Sequence, residues 1–262
     1  MQVHDTNFYG LSAQTLGNDK DSLLIEEGIA VNSTASLDYS DAEAVKVLGN
    51  PTEGALLLWL KKAGVDYLNL RESVEVLEEL PFSTERKYMA TIVKSSLFEG
   101  KTILYVKGAP EIVSGLCKNI ENNVSITDIE NQLVEYQNQA MRTLGFAYQI
   151  IDCKADVFKD GKVVADNLTF MGVVAISDPV RQDVPAAVAE CMNAGINVKI
   201  VTGDTHGTAK EIGRQIGLWT AKNGDKNIIT GPEFATLSDE ELDKRVLDLK
   251  IISRARPMDK KR

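Results

Sequence analysis

Basic residues are in short supply: 29 lysines and arginines face 38 aspartates and glutamates, with two histidines and a net charge of −9. A nucleic-acid partner is therefore disfavoured, because a phosphate backbone needs a basic face. Cysteine is scarce too. Cys117, Cys153 and Cys191 are odd in number and far apart, which gives neither a metal-ligand spacing nor a disulfide framework and favours a reducing compartment. No apolar run approaches the ~18 residues of a membrane span. The longest, Phe170 to Ile176, is strand-sized, and the polar start Met1-Gln2-Val3-His4-Asp5 is no signal peptide. What remains is the composition of a globular protein, 44% hydrophobic and 26% charged, in 262 residues that suffice for two ordinary domains.

The most informative stretch is Ile103-Leu104-Tyr105-Val106-Lys107-Gly108-Ala109-Pro110-Glu111. β-Branched and aromatic residues without a breaker predict a strand from Ile103 to Val106. Lys107 stands at its end, Gly108 turns the chain, and Pro110 opens a helix to about Lys118. An ammonium, a glycine backbone and a helix N-terminus meet there. That suits a phosphate-bearing ligand, although the plainer reading is a turn with a solvated lysine.

Upstream, Val3 with Phe8–Tyr9 reads as a short strand, Ser22 to Ala30 as a helix, and Leu37 to Leu48 as another helix stopped by Gly49. Asn50 then reads as an N-cap, Pro51 as the first helical residue and Glu53 as the third, a capping box with Asn in place of Ser. The helix behind it is apolar nearly all round, so it should be buried, and Gly64 stops it. Val74–Leu80, Tyr88–Val93 and Lys101–Lys107 read as strands of an antiparallel sheet, interrupted by Pro81-Phe82-Ser83-Thr84-Glu85-Arg86-Lys87. A lone loop phenylalanine such as Phe82 usually tucks onto the core, but an aromatic face beside a lysine is also what an adenine base needs. Arg86 and Lys87, taken alone, would be a solvated face. Thr127 to Leu144 reads as a long helix with Arg142 as a cation near its C-terminal end, where the dipole favours one. Phe146 to Ile151 reads as a strand and Lys159 to Lys162 as a hairpin turn.

From about residue 168 the pattern changes. Leu168–Ile176 is a continuous apolar strand. Val184, Ala187, Val188, Cys191 and Met192 then recur at helical spacing behind Asp183 as N-cap. Asn197–Val201 is a second buried strand, followed by a helix from about Gly207 to Ile216. Ser238-Asp239-Glu240-Glu241 is a capping box, and Ile251–Ile252 is a further strand. Alternating strands and helices with glycine stops predict βαβ units and a parallel sheet. Ligands of such sheets gather beyond the strand C-termini, where Thr202-Gly203-Asp204 stands with a hydroxyl, a flexible backbone and free amides. The plainer reading of that run is a turn with an N-cap.

Several runs together resemble one family. Lys107-Gly108-Ala109-Pro110-Glu111, Gly49-Asn50-Pro51-Thr52-Glu53-Gly54-Ala55-Leu56, Phe82-Ser83-Thr84-Glu85-Arg86-Lys87-Tyr88-Met89 and Met141-Arg142-Thr143-Leu144 resemble the nucleotide-binding domain of P-type cation-transporting ATPases. Ser177-Asp178-Pro179-Val180-Arg181, Thr202-Gly203-Asp204 and the run from Ser253 to Lys260 resemble their phosphorylation domain, of haloacid-dehalogenase fold. The resemblance implies an α/β (α+β) chain. Residues 1–170 would be an antiparallel-sheet nucleotide-binding domain with flanking helices, and residues 171–262 a partial, Rossmann-like phosphorylation domain. It implies ATP as ligand, with Mg2+ whose protein ligands lie mostly elsewhere. By that likeness Glu53 hydrogen-bonds adenine, Phe82 stacks on it and Lys87 approaches it. Lys107 and Gly108 close the pocket, and Arg142 reaches the phosphates. Asp178 would lie at a hinge between domains, and Thr202 would hold a phosphoryl group with Gly203 and Asp204 beside it. Arg254 would face the nucleotide, and Lys260 would stabilise phosphoryl oxygens.

The departures from the family pattern are equally informative. Its phosphorylated aspartate, in Asp-Lys-Thr-Gly-Thr, has no counterpart here and would precede Met1. Its Gly-Asp-Gly-x-Asn-Asp motif would follow Arg262, and the actuator Thr-Gly-Glu is absent. The expectation is a piece of a longer pump, on the cytoplasmic face of a membrane, that binds ATP without phosphorylating itself. Its partners would be the actuator and membrane helices of the same pump, with the cation bound elsewhere. The Phe82 and Asn50 runs look most like those of calcium-type pumps and their bacterial relatives. One rival is a free-standing phosphatase of the dehalogenase fold with a large cap. It needs an Asp-x-Asp nucleophile on a strand end, and Asp19-Lys20-Asp21 has no strand to present it. The other rival is a non-catalytic nucleotide-binding module.

Overall fold

A computed structural model describes residues 1–11, 14–41, 45–151 and 157–261. The expected Cys153 lies outside the described residues. The chain divides into two compact units, Met1–Leu133 with Arg142–Ser177, and Val134–Met141 with Asp178–Arg262.

The first unit begins with β1 (Gln2–Phe8), α1 (Lys20–Val31), β2 (Ser36–Asp38), β3 (Lys46–Leu48), α2 (Pro51–Lys62) and α3 (Tyr67–Glu72). It continues with β4 (Glu75–Leu80), β5 (Tyr88–Lys94), β6 (Thr102–Gly108), α4 (Pro110–Leu116), β7 (Asn119–Ile120) and the first part of α5 (Ile126–Asn138), whose residues from Val134 on belong to the second unit. Then come β8 (Arg142–Ile151), β9 (Phe158–Lys159), β10 (Lys162–Val163) and β11 (Thr169–Ser177). Its main sheet runs in the order β1-β11-β8-β6-β5-β4, antiparallel throughout, and β7 adds a short parallel pairing to β11. β5 and β6 are buried almost end to end, which explains their unbroken apolar runs. On one face α1 and α2 seat Leu24, Ile29, Leu56, Leu57 and Leu60 against Phe8, Val93, Ile103, Tyr105 and Phe146. Each buried leucine or isoleucine of this set contributes about 1.5–3 kcal/mol.

Local chemistry sets the ends. Asp19 caps α1, its carboxylate accepting from the amides of Asp21 and Ser22 at 3.1 and 3.0 Å, so Asp19-Lys20-Asp21 opens a helix rather than ending a strand. Asn50 caps α2 by accepting from the Thr52 amide, with Pro51 in the first turn.

Four expectations are corrected. Leu37–Leu48 is not a helix. Leu37 pairs with Val47 in a β2–β3 hairpin, whose Leu37 amide donates to the buried Tyr67 hydroxyl at 2.9 Å, so tertiary contacts override helix propensity. The helix over 127–144 stops at Asn138, because Ala140 takes a left-handed conformation (φ 62°) and Met141 donates back to the Tyr136 carbonyl. Arg142 consequently starts strand β8 and is not a helix-end cation. The apolar run at 168–176 forms β11, flanked by antiparallel β8 and β1 in the first unit, and the boundary between units falls after Ser177. A continuous apolar run signals burial on both faces but does not say which way its neighbours point.

The second unit carries α6 (Val184–Asn193), β12 (Ile200–Val201), α7 (His206–Gln215), β13 (Ile228–Thr230), α8 (Gly231–Thr236), α9 (Asp239–Arg245) and β14 (Ile251–Ser253). The strands form a parallel sheet in the order β12-β14-β13. The capping box at Ser238 and Glu241 forms as expected. Two details differ. The strand expected over 197–201 is confined to Ile200–Val201, and both residues are only half-buried. Asp183 precedes α6 without capping it, because its carboxylate accepts from Arg181 at 2.7 Å instead. No helix among the described residues is long and apolar enough to cross a membrane.

Candidate functional site

Strands β5 and β6 end together, and their closeness builds the site. A methyl group on Gly108 would lie 2.3 Å from the Lys87 carbonyl oxygen, so only glycine admits this approach. The Ala109 amide donates to that same carbonyl at 2.9 Å, holding the start of α4 against the Lys87 turn. Lys87 itself has a left-handed backbone (φ 59°), closed by its amide donating to the Ser83 carbonyl. The turn directs residues 82–87 to the mouth of a cleft of about 360 Å³, within the range of small-molecule sites.

Glu53, Phe82, Lys87, Lys107, Gly108 and Arg142 all line this one cleft, with Met89 and Leu144 as apolar wall. The sequence drew them from four separated segments. Phe82 is not tucked onto the core: it is 58% exposed. An uncovered aromatic ring that shares its cleft with the exposed cations Lys87 and Arg142 offers a stacking platform in an anion-attracting setting.

At the floor, Lys107 and Glu53 are both buried, at 4% and 6% exposure, and their Nζ and Oε1 are 2.7 Å apart. Lys107 also donates to the Asn32 carbonyl at 2.6 Å. The other carboxylate oxygen of Glu53 accepts from the Thr34 hydroxyl at 2.8 Å, the Thr34 and Ala35 amides at 2.9 and 3.2 Å, and the Ser33 hydroxyl at 3.3 Å. Glu53 therefore does not complete the capping box of its own helix. Burial alone would raise its carboxyl, but the Lys107 charge and these donors outweigh that and hold it below the usual glutamate value. Burial pushes the Lys107 ammonium down, against the pull of Glu53.

Asn32, Thr34 and Arg71 were not foreseen. Arg71 stacks on Tyr67 and donates to the carbonyls of Ala30, Ser33 and Ala35, clamping the loop that feeds Glu53. The run Asn32-Ser33-Thr34, three small polar residues directly after a buried helix, was the available signal.

The remaining candidates lie in the second unit: Thr202, Gly203 and Asp204 follow β12, Arg254 follows β14 with Lys260 further along, and Asp178 stands at the start of that unit's longer segment. The Thr202 hydroxyl donates to the Asp204 carboxylate at 2.7 Å. The amides of Arg254 and Ala255 donate to the carbonyls of Asp204 and Thr202, each at 2.8 Å, so the two loops are strapped together. Gly203 has room for a side chain, with the nearest atom 3.9 Å away. Arg254 is exposed with φ 48°, and Lys260 is exposed in the short 3-10 turn Pro257–Lys260. Asp178 is exposed directly after β11. Among the described residues no group of three His, Cys, Asp or Glu side chains is placed to hold a metal ion.

Known proteins resemble this chain. Residues 22–183 match the family model described as P-type ATPase, cytoplasmic domain N. The chain is 36% identical over 245 residues to calcium-transporting ATPase PAT1 of Dictyostelium discoideum, covering 90% of this chain and 21% of that protein. It is 32% identical over 270 residues to plasma membrane-type calcium-transporting ATPase 2 of Arabidopsis thaliana, covering 99% of this chain and 26% of that protein. It is also 32% identical over 232 residues to calcium-transporting ATPase 1 of Lactococcus lactis, covering 85% and 25% respectively. The chain thus spans about a fifth to a quarter of the length of these relatives.

Proposed function

The chain belongs to the P-type ATPase family, through its cytoplasmic domain N, and from that premise we propose that it binds ATP in the Phe82 cleft. The observation that carries the proposal is the exposed Phe82 ring in a cleft that Lys87 and Arg142 also line. Adenine stacks on Phe82, Lys87 borders the base, and Arg142 draws the phosphates. Glu53 acts differently from the direct adenine contact that the resemblance implies: with its oxygens already engaged, it holds Lys107 and the 33–35 loop as the cleft floor. Gly108 contributes by its lack of a side chain.

In the longer protein we read this chain as the part that positions ATP for phosphoryl transfer to an aspartate outside it. A carboxylate oxygen bonds to the γ-phosphorus, the β–γ bridging bond breaks, and ADP leaves. Residues 178–262 would belong to a partial phosphorylation domain of haloacid-dehalogenase type, with Asp178 at its start. There Thr202, Gly203 and Asp204 attend the phosphoryl group, Arg254 faces the nucleotide, and Lys260 stabilises phosphoryl charge. Mg2+ would arrive with ATP. The names of the relatives favour calcium as the transported ion, moved through membrane helices elsewhere in the protein, with this unit on the cytoplasmic side.

An ATP titration followed by NMR tests the reading. A half-open cleft with four or five contacts should give a dissociation constant of about 0.1–3 mM. Shifts should cluster at Phe82, Lys87, Lys107 and Arg142 and weaken in Phe82→Ala. No shifts at 10-fold above that range, or shifts that persist in the variant, would overturn the assignment.

A further inference from the structure

A second cleft in the first unit, of about 680 Å³, shares no residue with the Phe82 cleft. The N-terminal loop, α1 and the turn between α2 and α3 border it, and Asn18, Glu26, Asp66, Asn69, Leu70 and Leu97 are on its wall. Its central feature is Glu26. Among the described residues three glutamates are buried, and two of them are held by partners. Glu27 accepts from the Ser95 and Tyr105 hydroxyls at 2.7 and 2.8 Å, and Glu53 is held as described. Glu26 is only 7% exposed, yet its carboxylate has no hydrogen-bond or ion-pair partner among the described residues and opens on the cleft.

The residue is buried, but its carboxylate oxygens reach the cleft, so a charge or donor entering the cleft can meet them. The wall supplies no opposite charge: among the described residues no lysine, arginine or histidine lines the cleft, its neutral donors are Asn18, Asn69 and Ser73, and the nearby charges of Asp19 and Asp66 have the same sign as Glu26. Burial, reinforced by Asp19, pushes the Glu26 carboxyl up. Asp19 spends both oxygens on the start of α1, and one Asp66 oxygen caps α3, so Glu26 is the buried, unpartnered acceptor of this wall and sits in a negative field. A divalent ion is a poor match, since the described residues offer no three-ligand group. A single carboxylate under an apolar wall with amide neighbours matches an organic monocation, whose carbon chain covers the leucines while its head reaches the charge.

We propose that the Glu26 cleft binds an alkylammonium or guanidinium group, pairing it with the Glu26 carboxylate and laying its carbon chain against Leu70 and Leu97. A free amine and a lysine or arginine side chain of a polypeptide carry the same chemistry.

The test is an NMR titration of the whole chain at pH 8. The probes are n-butylammonium chloride, n-butylguanidinium chloride and the capped peptide acetyl-Gly-Lys-Gly-amide, with n-butanol as the neutral control. The Glu26 carboxyl carbon and the amides of Asn18, Gly64 and Asn69 should shift and saturate at about 1–30 mM probe. Glu26→Gln should weaken binding about tenfold or more, and Leu97→Trp, which fills the mouth while keeping the carboxylate, should do the same. n-Butanol should leave the Glu26 signal unmoved. Tighter binding of the peptide would assign the site to a polypeptide, and tighter binding of the free cations to a small molecule. The proposal is overturned if no probe saturates, if n-butanol acts like the cations, or if binding survives in Glu26→Gln within twofold.

Discussion

Lys107 shows how a single side chain can serve a site without being free to meet the ligand. Its three donors have two fixed acceptors, Asn32 and Glu53, and its burial makes both of them necessary. Glu53→Ala should therefore cost about 3–5 kcal/mol, because it leaves a buried ammonium uncompensated, and urea unfolding would measure it. Phe82→Ala should leave stability within about 0.5 kcal/mol, as exposed residues usually do, while ATP affinity falls by about 1–3 kcal/mol; calorimetric titration beside thermal melting separates the two. Glu53 and Glu27, both buried, titrate in opposite senses. Glu53 is held below the ordinary value by Lys107 and its donors, so its stabilisation is complete above about pH 4.3 and is lost as pH falls through its lower folded value. Glu27 is raised by burial, which its hydroxyl partners only partly offset. Its contribution is complete below about pH 4.3 and is lost as pH rises through its higher folded value. Glu27→Gln should accordingly gain stability over wild type as pH goes from 4 to 8, and melting curves across that range would show it. Phe82, Lys107 and Glu53 were legible because each sits inside a short local motif. Asn32, Thr34 and Arg71 were not, because their roles depend on partners 19 to 75 positions away in the chain.

Among the elements, the β5–β6 pair determines whether the cleft exists. Gly108→Ala would force a methyl group against the Lys87 carbonyl and the Tyr88 side chain. We expect a loss of about 1–3 kcal/mol, as for other overpacked sites, and faster exchange of the Ala109 amide, whose bond to Lys87 would open; hydrogen-exchange NMR reads the second effect directly. The strands β4 to β6 could be read in advance because alternation and turn residues bounded them. The end of α5 could not, since an alanine in the left-handed region carries no sequence signature. α6 presents the reverse case. Its apolar spacing was plain in the sequence, yet none of its residues is buried. Periodicity announces a face that can be covered; it does not announce that the cover is present.

For the whole molecule, the two units differ sharply in how much they bury. The first has a seven-stranded sheet and a cluster of 21 buried residues on one face alone, whereas the second has three strands of two or three residues and clusters of four. Opening free energy follows buried apolar contact, so amides of β13 and β14 should exchange well before those of β6 and β8, and urea unfolding should show two transitions rather than one. Mass-spectrometric hydrogen exchange would test both statements, and equal protection in the two sheets would contradict them. The large sheet has a further consequence, one of timing. Phe8, wholly buried, pairs with Gly172 across 164 positions of chain. At about 5–20 residues per second on a ribosome, the first strand waits roughly 8–30 s for β11, its sheet neighbour among the described residues, to be made. Throughout that interval Phe8 has only the early helices α1 and α2 to cover it, on a strand edge that is still unpaired.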